Sequence, residues 1–357
     1  MRRRAGWIGA AGAVLAAVAV GVFPLPADAH GGGSTYQQVN LASDQPGMAA
    51  FTDPDLVNAW GMSHGPNTPL WVSNNGKDNA TLYRTDTPGS PITKQGLVVS
   101  IPSGAPTGQV FNDTAEFNVP GTTGKSLFIF AGEDGDLSAW NGAAGTTAVA
   151  AGHVDGAVFK GLAIDHSPFG PLLLAANFHD NRLEVFDGSF NRVPASDLLF
   201  RDRHLPSGYA PFNVAEVGDQ IFVTYAKQDA DAHDDVAGAG HGFVDVYTNY
   251  GVLVHRFASR GVLNSPWGMT IAPANFGQFS GDILIGNFGD GRIHAFDPHN
   301  GRLIGTLAGS NHKPIMIDGL WGLIVGDGVA GGPDAVWFSA GPDGEAHGLL
   351  GVLRVNQ

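Results

Sequence analysis

Ser265-Pro266-Trp267-Gly268-Met269, followed by Ile283-Leu284-Ile285, Asn287-Phe288-Gly289-Asp290-Gly291 and Ile293-His294-Ala295-Phe296, is one unit of a repeat. Its order is an aromatic start, a short apolar run, a Gly/Asn/Asp turn and an alternating run. Similar starts centre on Trp60, Phe117, Leu162, Phe212 and Trp321, as in Asn58-Ala59-Trp60-Gly61-Met62. Including Trp267, the six centres are 57, 45, 50, 55 and 54 residues apart. The third copy, at Leu162, lacks the aromatic residue and is the weakest.

A continuous apolar run fits a strand buried on both faces, and an alternating run fits one facing a neighbouring sheet. Asn-Gly and Asp-Gly turns supply the positive φ that tight hairpins need. One such unit cannot bury both its faces, so the units must stack around an axis. No helical periodicity of useful length appears after residue 30. The chain is therefore predicted to be all-β, a six-bladed β-propeller with about four strands per blade. Tyr36-Gln37-Gln38-Val39-Asn40-Leu41 precedes the first copy. It is the spare strand expected to close the ring as the outer strand of the last blade, because an open edge invites aggregation. Seven blades, a β-sandwich and a solenoid are the competing architectures.

Residues 1–29 read as a cleaved secretory signal. Arg2-Arg3-Arg4 is the basic start, Trp7 to Phe23 the apolar core, and Ala27-Asp28-Ala29 the cleavage site. An uncleaved anchor is the alternative, but the apolar stretch is near the lower limit for a span. Residues 30–357 are then a single secreted, extracellular domain. Cleavage removes three Arg and one Asp, so the net charge of −14 becomes −16. Such acidity argues against nucleic acid or an anionic membrane as partner, and a monomer is expected. The absence of Cys excludes disulfides, and a chain of this length buries enough core without them.

The stretches Tyr36–Leu41, Leu56–Met62, Trp71–Gly76, Ile129–Gly135 and Ser265–Met269 resemble an uncharacterised family of secreted bacterial β-propellers. The resemblance spans nearly the whole mature chain and implies fold and compartment, but no established activity and no catalytic residue. More distantly, the starts are similar to those of NHL-repeat and gluconolactonase-type propellers, a likeness of fold alone.

Asn75, Glu133, Asn177 and Asn287 closely follow the short strands of their blades. Equivalent positions form a ring about a propeller axis, and their oxygens would suit a hard cation such as Ca²⁺. Asn58, Glu116 and Asn213 flank blade starts and, with His179, are the ligand-binding candidates. His179 and Asp180 are also an acid/base pair by type. Against these readings, Asn, Asp and Gly are ordinary turn residues. The insertion of residues 227–242 reads as a lid or a solvated loop. Asp229, Asp231 and His233 alternate like the start of a calcium loop, but Asp234 and Gly240 stand where an EF-hand needs Gly and Glu. His30 has no second ligand fixed near it to hold copper. Gly61-Met62-Ser63-His64-Gly65 spells a nucleophile elbow with no helix after it. Gly326–Gly331 spells a dinucleotide fingerprint, but Gly332-Pro333 blocks the helix it requires.

The expected function is binding of an extracellular ligand or protein at an axial face. The alternatives are a Ca²⁺-dependent gluconolactonase-like hydrolase or lyase and a structural or adhesive extracellular protein. An enzyme should show an axial pocket with perturbed titratable groups.

Overall fold

The structure is a computed structural model. It describes residues 33–356 apart from 86–89, 103 and 195–197, so residues 1–29, expected to be a signal, and His30 lie outside the described residues. The first strands in the chain, β1 (Tyr36–Ser43) and β2 (Phe51–Thr52), join the last blade. Blade one is β3 (Ala59–Ser63), β4 (Leu70–Asn74), β5 (Asn79–Arg84) and β6 (Thr93–Ser100). Blade two is β7 (Pro106–Phe111), β8 (Phe128–Gly132), β9 (Asp136–Trp140) and β10 (Val149–His153). Blade three has β11 (Phe159–Asp165), β12 (Leu172–Asn177) and β13 (Arg182–Phe186). A stub at Arg192 and Val193 pairs with β13 where a fourth strand would lie. Blade four is β14 (Tyr209–Val217), β15 (Gln220–Lys227), β16 (Gly242–Thr248) and β17 (Leu253–Ser259). Blade five is β18 (Pro266–Ile271), β19 (Ile283–Asn287), β20 (Ile293–Phe296) and β21 (Leu303–Thr306). Blade six is β22 (Leu320–Val325), β23 (Val336–Ala340) and β24 (Leu349–Val355), extended by β1 and β2.

The chain is thus a six-bladed β-propeller, and the closing strand is where the sequence places it. β1 runs antiparallel to β24, from Tyr36 opposite Val355 to Ser43 opposite Leu349. The hydrophobic core lies between adjacent blades, each interface filled by alternating side chains of facing sheets.

The phase of the repeat needs correction at two blades. Each innermost strand carries a register irregularity near its start: Ala59/Met62, Pro106/Gln109, Phe159/Gly161, Pro211/Asn213, Pro266/Met269 and Leu320/Leu323. These irregularities bring Trp60, Thr107, Lys160, Phe212, Trp267 and Trp321 into equivalence. Phe117 is no blade start; it lies in the loop between β7 and β8, with φ of 60°. Leu162 stands two residues past its blade's equivalent position. The corrected spacings are 47, 53, 52, 55 and 54 residues.

The residue after each of these six is Gly, except Asn213. Here neighbouring blades touch backbone to backbone. A Cβ on Gly61 would lie 2.3 Å from the Thr107 carbonyl oxygen, and one on Gly108 would lie 2.5 Å from the Leu162 nitrogen. Gly268 similarly abuts Trp321. In blade four the Asn213 amide spans the contact instead, donating to the Trp267 carbonyl at 2.8 Å.

Candidate functional site

The axis is plugged by aromatic side chains. Trp60 stacks on Trp321 at 3.6 Å between ring centroids, and Phe288 stacks on Trp321 at 3.9 Å. Trp267 meets both Trp60 and Trp321 edge-on, and Phe178 and Phe212 complete the cluster. Indole N–H groups tie the plug to the blades: Trp267 donates to the Lys160 carbonyl and Trp321 to Asn58 Oδ1, each at 3.0 Å.

On the side of the plug formed by the turns after each blade's second strand lies a partly buried polar network. The Lys160 ammonium is 5.3 Å from the Trp60 ring centroid. It lies 2.5 Å from Glu133 Oε1 and 3.0 Å from Asp234 Oδ1. Glu133 Oε2 accepts from Asn75 at 3.0 Å, and Asn75 Oδ1 accepts from Asn58 at 3.1 Å. The Asn58 amide also donates to Glu345 at 2.7 Å. Burial opposes the charge on Lys160, but Glu133 and Asp234 hold its pKa above the usual lysine value. Burial raises the Glu345 pKa, with the Asn58 hydrogen bond acting against it. His233 Nδ1 is 3.0 Å from Asp234 Oδ1. Glu133, His233 and Asp234 offer ligand atoms within 4.8 Å of one another, the described residues' one metal-sized cluster. The 227–242 insertion folds back against neighbouring loops here. Gln228 donates to the Phe178 carbonyl at 2.6 Å, and Gly238 N–H to Asn264 Oδ1 at 2.6 Å.

The structure brings Asn58, Asn75 and Glu133 together but not Asn177 or Asn287. Those two are fully buried at the ends of β12 and β19 and hold turns within their own blades. Asn177 donates to Asp180 and Glu184, and Asn287 donates to the Val262 carbonyl and Asp290. The reason is a one-residue offset. Asn74 ends β4 as Asn177 ends β12, so Asn75 corresponds to Phe178 and Phe288, and a one-residue shift along a strand reverses the face. A four-membered Asn/Glu ring is therefore not formed. Glu116 is exposed in the β7–β8 loop against Gly188, away from the axis. His179 is exposed on its turn, 3.1 Å from Asp180 Oδ1, while Asp180 also binds Asn177 and Arg182. Asn213 joins blades four and five at the axis. Lys160 escaped the sequence reading because it stands where other blades carry aromatic residues; the Lys160-Gly161 dipeptide was the available signal.

At the opposite side of the plug the innermost strands of all six blades diverge around a funnel of about 400 Å³. Trp267 and Asn213 lie deep in it, Phe111, Leu162, Ile164, Val214 and Leu323 line it, and His64, Asp113, His166 and Glu216 stand among its lining residues. Glu216 grips His166 twice, through the ring Nδ1 and through the backbone N–H at 3.0 Å. Asp113 Oδ1 is 3.0 Å from His166 Nε2. The bond to Glu216 raises the His166 pKa, burial opposes it, and Asp113 adds to the rise. His64 is 2.9 Å from the Val325 carbonyl and 3.5 Å from Asp327. Asp165 is fully buried beside this group, with no hydrogen-bond partner for either carboxylate oxygen among the described residues. Burial, reinforced by the charge of Glu216, pushes its pKa up to about 7. Sequence reasoning missed these residues because they sit at or just past the ends of the innermost strands, at positions that share no motif from blade to blade.

No model of a known protein family matches the chain. Among solved structures it is similar to a protein of unknown function from Bacteroides thetaiotaomicron, with a TM-score of 0.55 and 13% identity, over 89% of this chain and 76% of that one. It is also similar to virginiamycin B lyase from Staphylococcus aureus, with a TM-score of 0.52 and 12% identity, over 90% of this chain and 99% of that one. These likenesses concern the propeller fold alone. In sequence, the chain is 34% identical to an uncharacterised protein of Acanthamoeba polyphaga mimivirus, over 91% of this chain and 81% of the relative. It is 32% identical to a second uncharacterised protein of the same virus, over 91% of this chain and 87% of that relative. The chain belongs to the family of these uncharacterised mimivirus proteins.

Proposed function

We propose that the protein binds a small ligand in the axial funnel between His64 and His166. The observation that carries this reading is the convergence of all six innermost strands on one cavity of about 400 Å³. That volume falls within the range of small-molecule sites, and the lining mixes apolar side chains with polar and titratable ones in comparable measure. The raised pKa values of His166 and Asp165 mark the same place. At the opposite end of the axis the place of a cation is already taken by the Lys160 ammonium between Glu133 and Asp234. In this reading the protein is a secreted, extracellular monomer whose partner is a small molecule rather than nucleic acid or a membrane.

The runner-up is a Ca²⁺-dependent hydrolase or lyase, with Glu133, Asp234 and His233 as ligands. Its support is the compact cluster. Against it, the Lys160 ammonium already lies between the two carboxylates, so an added cation must displace it.

Ligand-observed NMR with a fragment library tests the funnel, using the wild type and Thr270→Trp, which places an indole among the lining residues. Hits that vanish in Thr270→Trp are expected. Hits that bind the variant undiminished would place the ligand elsewhere.

A further inference from the structure

We infer that the funnel selects a small organic cation, an ammonium group carried on an apolar body. This rests on the reading of the funnel as the binding site. Its lining holds Asp113 and Glu216 but no Lys or Arg, and Asp327 stands behind His64. Three carboxylates thus face two histidines, and the field stays negative even with both imidazoles protonated. The whole chain carries a net charge of −14 and adds to that field.

The uncharged surfaces suit the same ligand. Phe111 and Trp267 both line the cavity, and aromatic faces attract ammonium groups through their quadrupole. Ser63 lines it too, and its buried hydroxyl has no hydrogen-bond partner among the described residues. An anionic ligand would find no cationic lining residue except the histidines, each of which already faces a carboxylate.

Isothermal titration with phenethylammonium, 2-phenylethanol and phenylacetate separates charge from shape, because the three share one apolar body. The ammonium is expected to bind at least about tenfold more tightly than the alcohol, with the carboxylate weakest. Its affinity should fall as NaCl is raised, since partly exposed charges are screened. Glu216→Gln should weaken the ammonium about tenfold and leave the alcohol nearly unchanged. Asp113→Asn, on an exposed loop, serves the same purpose should Glu216→Gln fold poorly. Equal or tighter binding of the alcohol or carboxylate, no binding of the ammonium, or no effect of either variant overturns the inference. If binding of the alcohol or carboxylate is abolished by Thr270→Trp, the funnel reading survives that failure. If every bound compound ignores Thr270→Trp, the funnel reading fails as well.

Discussion

Lys160 lies with its ammonium 2.5 Å from Glu133 Oε1 and only 2% of its side chain exposed, so this end of the axis contains its own cation. Replacing Lys160 with Met leaves Glu133 and Asp234 facing each other across an apolar side chain. The carboxylates left behind are partly solvated, Glu133 being 17% and Asp234 65% exposed, so the loss is that of a partly buried charged contact, about 1–3 kcal/mol. Lys160→Met should therefore melt below the wild type. Millimolar Ca²⁺ should recover part of that loss, because a ligand bound only by the folded state stabilises it. Thermal melts with Ca²⁺ and with chelator decide the matter. An equal Ca²⁺ response in wild type and variant would show that lysine and metal do not compete for one place.

The contact between Gly61 and the Thr107 carbonyl leaves 2.3 Å for a Cβ. Both sides are backbone, so neither can swing aside. Gly61→Ala should destabilise by about 1–3 kcal/mol through overpacking. Gly142 has nothing within 4 Å of its Cβ position, and Gly142→Ala should be near neutral. Urea denaturation of the two variants compares them directly, and equal midpoints would dismiss the axial contacts as a constraint.

Those same dipeptides explain how much of the fold was legible. The blade count and the Tyr36–Leu41 closure follow from alternation and turn chemistry, which are local properties. The phase at blades two and three does not, because Phe117 imitates an aromatic start while Thr107-Gly108 and Lys160-Gly161 do not look like one. What they share is a register irregularity that aims one side chain at the axis, and that is a property of pairing between strands. Asn75 and Glu133 were found because each follows directly on its blade's second strand; Asn177 and Asn287 fell one residue short. His166 and Glu216 lie on different blades, 50 residues apart, and only the packing of blade four against blade three unites them.

Asp165 makes stability depend on pH in a direction opposite to that of most carboxylates. Its folded pKa is about 7 against an ordinary value of 3.8, so between those values the folded state holds a proton that the unfolded chain has lost. Stability then falls as pH rises through that window. Asp165→Asn keeps the shape and removes the ionisation. The variant should gain on the wild type by about 2.5 kcal/mol from pH 5 to pH 8. His166 drives the wild type the same way, since a raised histidine pKa gives stability that is full below the unfolded value and lost as pH climbs through the folded one. Melting both proteins across this range tests the assignment. A gap that stays constant with pH would show that Asp165 does not titrate there.

Tyr36 anchors the closing strand by donating its hydroxyl to the Phe276 carbonyl at 3.0 Å, and its ring packs on Phe276 and Phe279. Burial pushes the phenol pKa up to about 12, so the hydroxyl remains a donor throughout the neutral range. Tyr36→Phe removes one hydrogen bond to a buried carbonyl and should cost about 1 kcal/mol. Tyr36→Ala empties the space between blades five and six and should cost about 3–5 kcal/mol. Deleting residues 33–43 does something different in kind. It uncovers the whole outer edge of β24, where Val352 and Leu350 now pair with Val39 and Ala42. An exposed apolar edge recruits other strands. The deletion should therefore appear in light scattering as oligomers whose size grows with concentration, whereas both point variants stay at the wild-type mass. A deletion variant that remains at that mass would mean that the ring closes without β1.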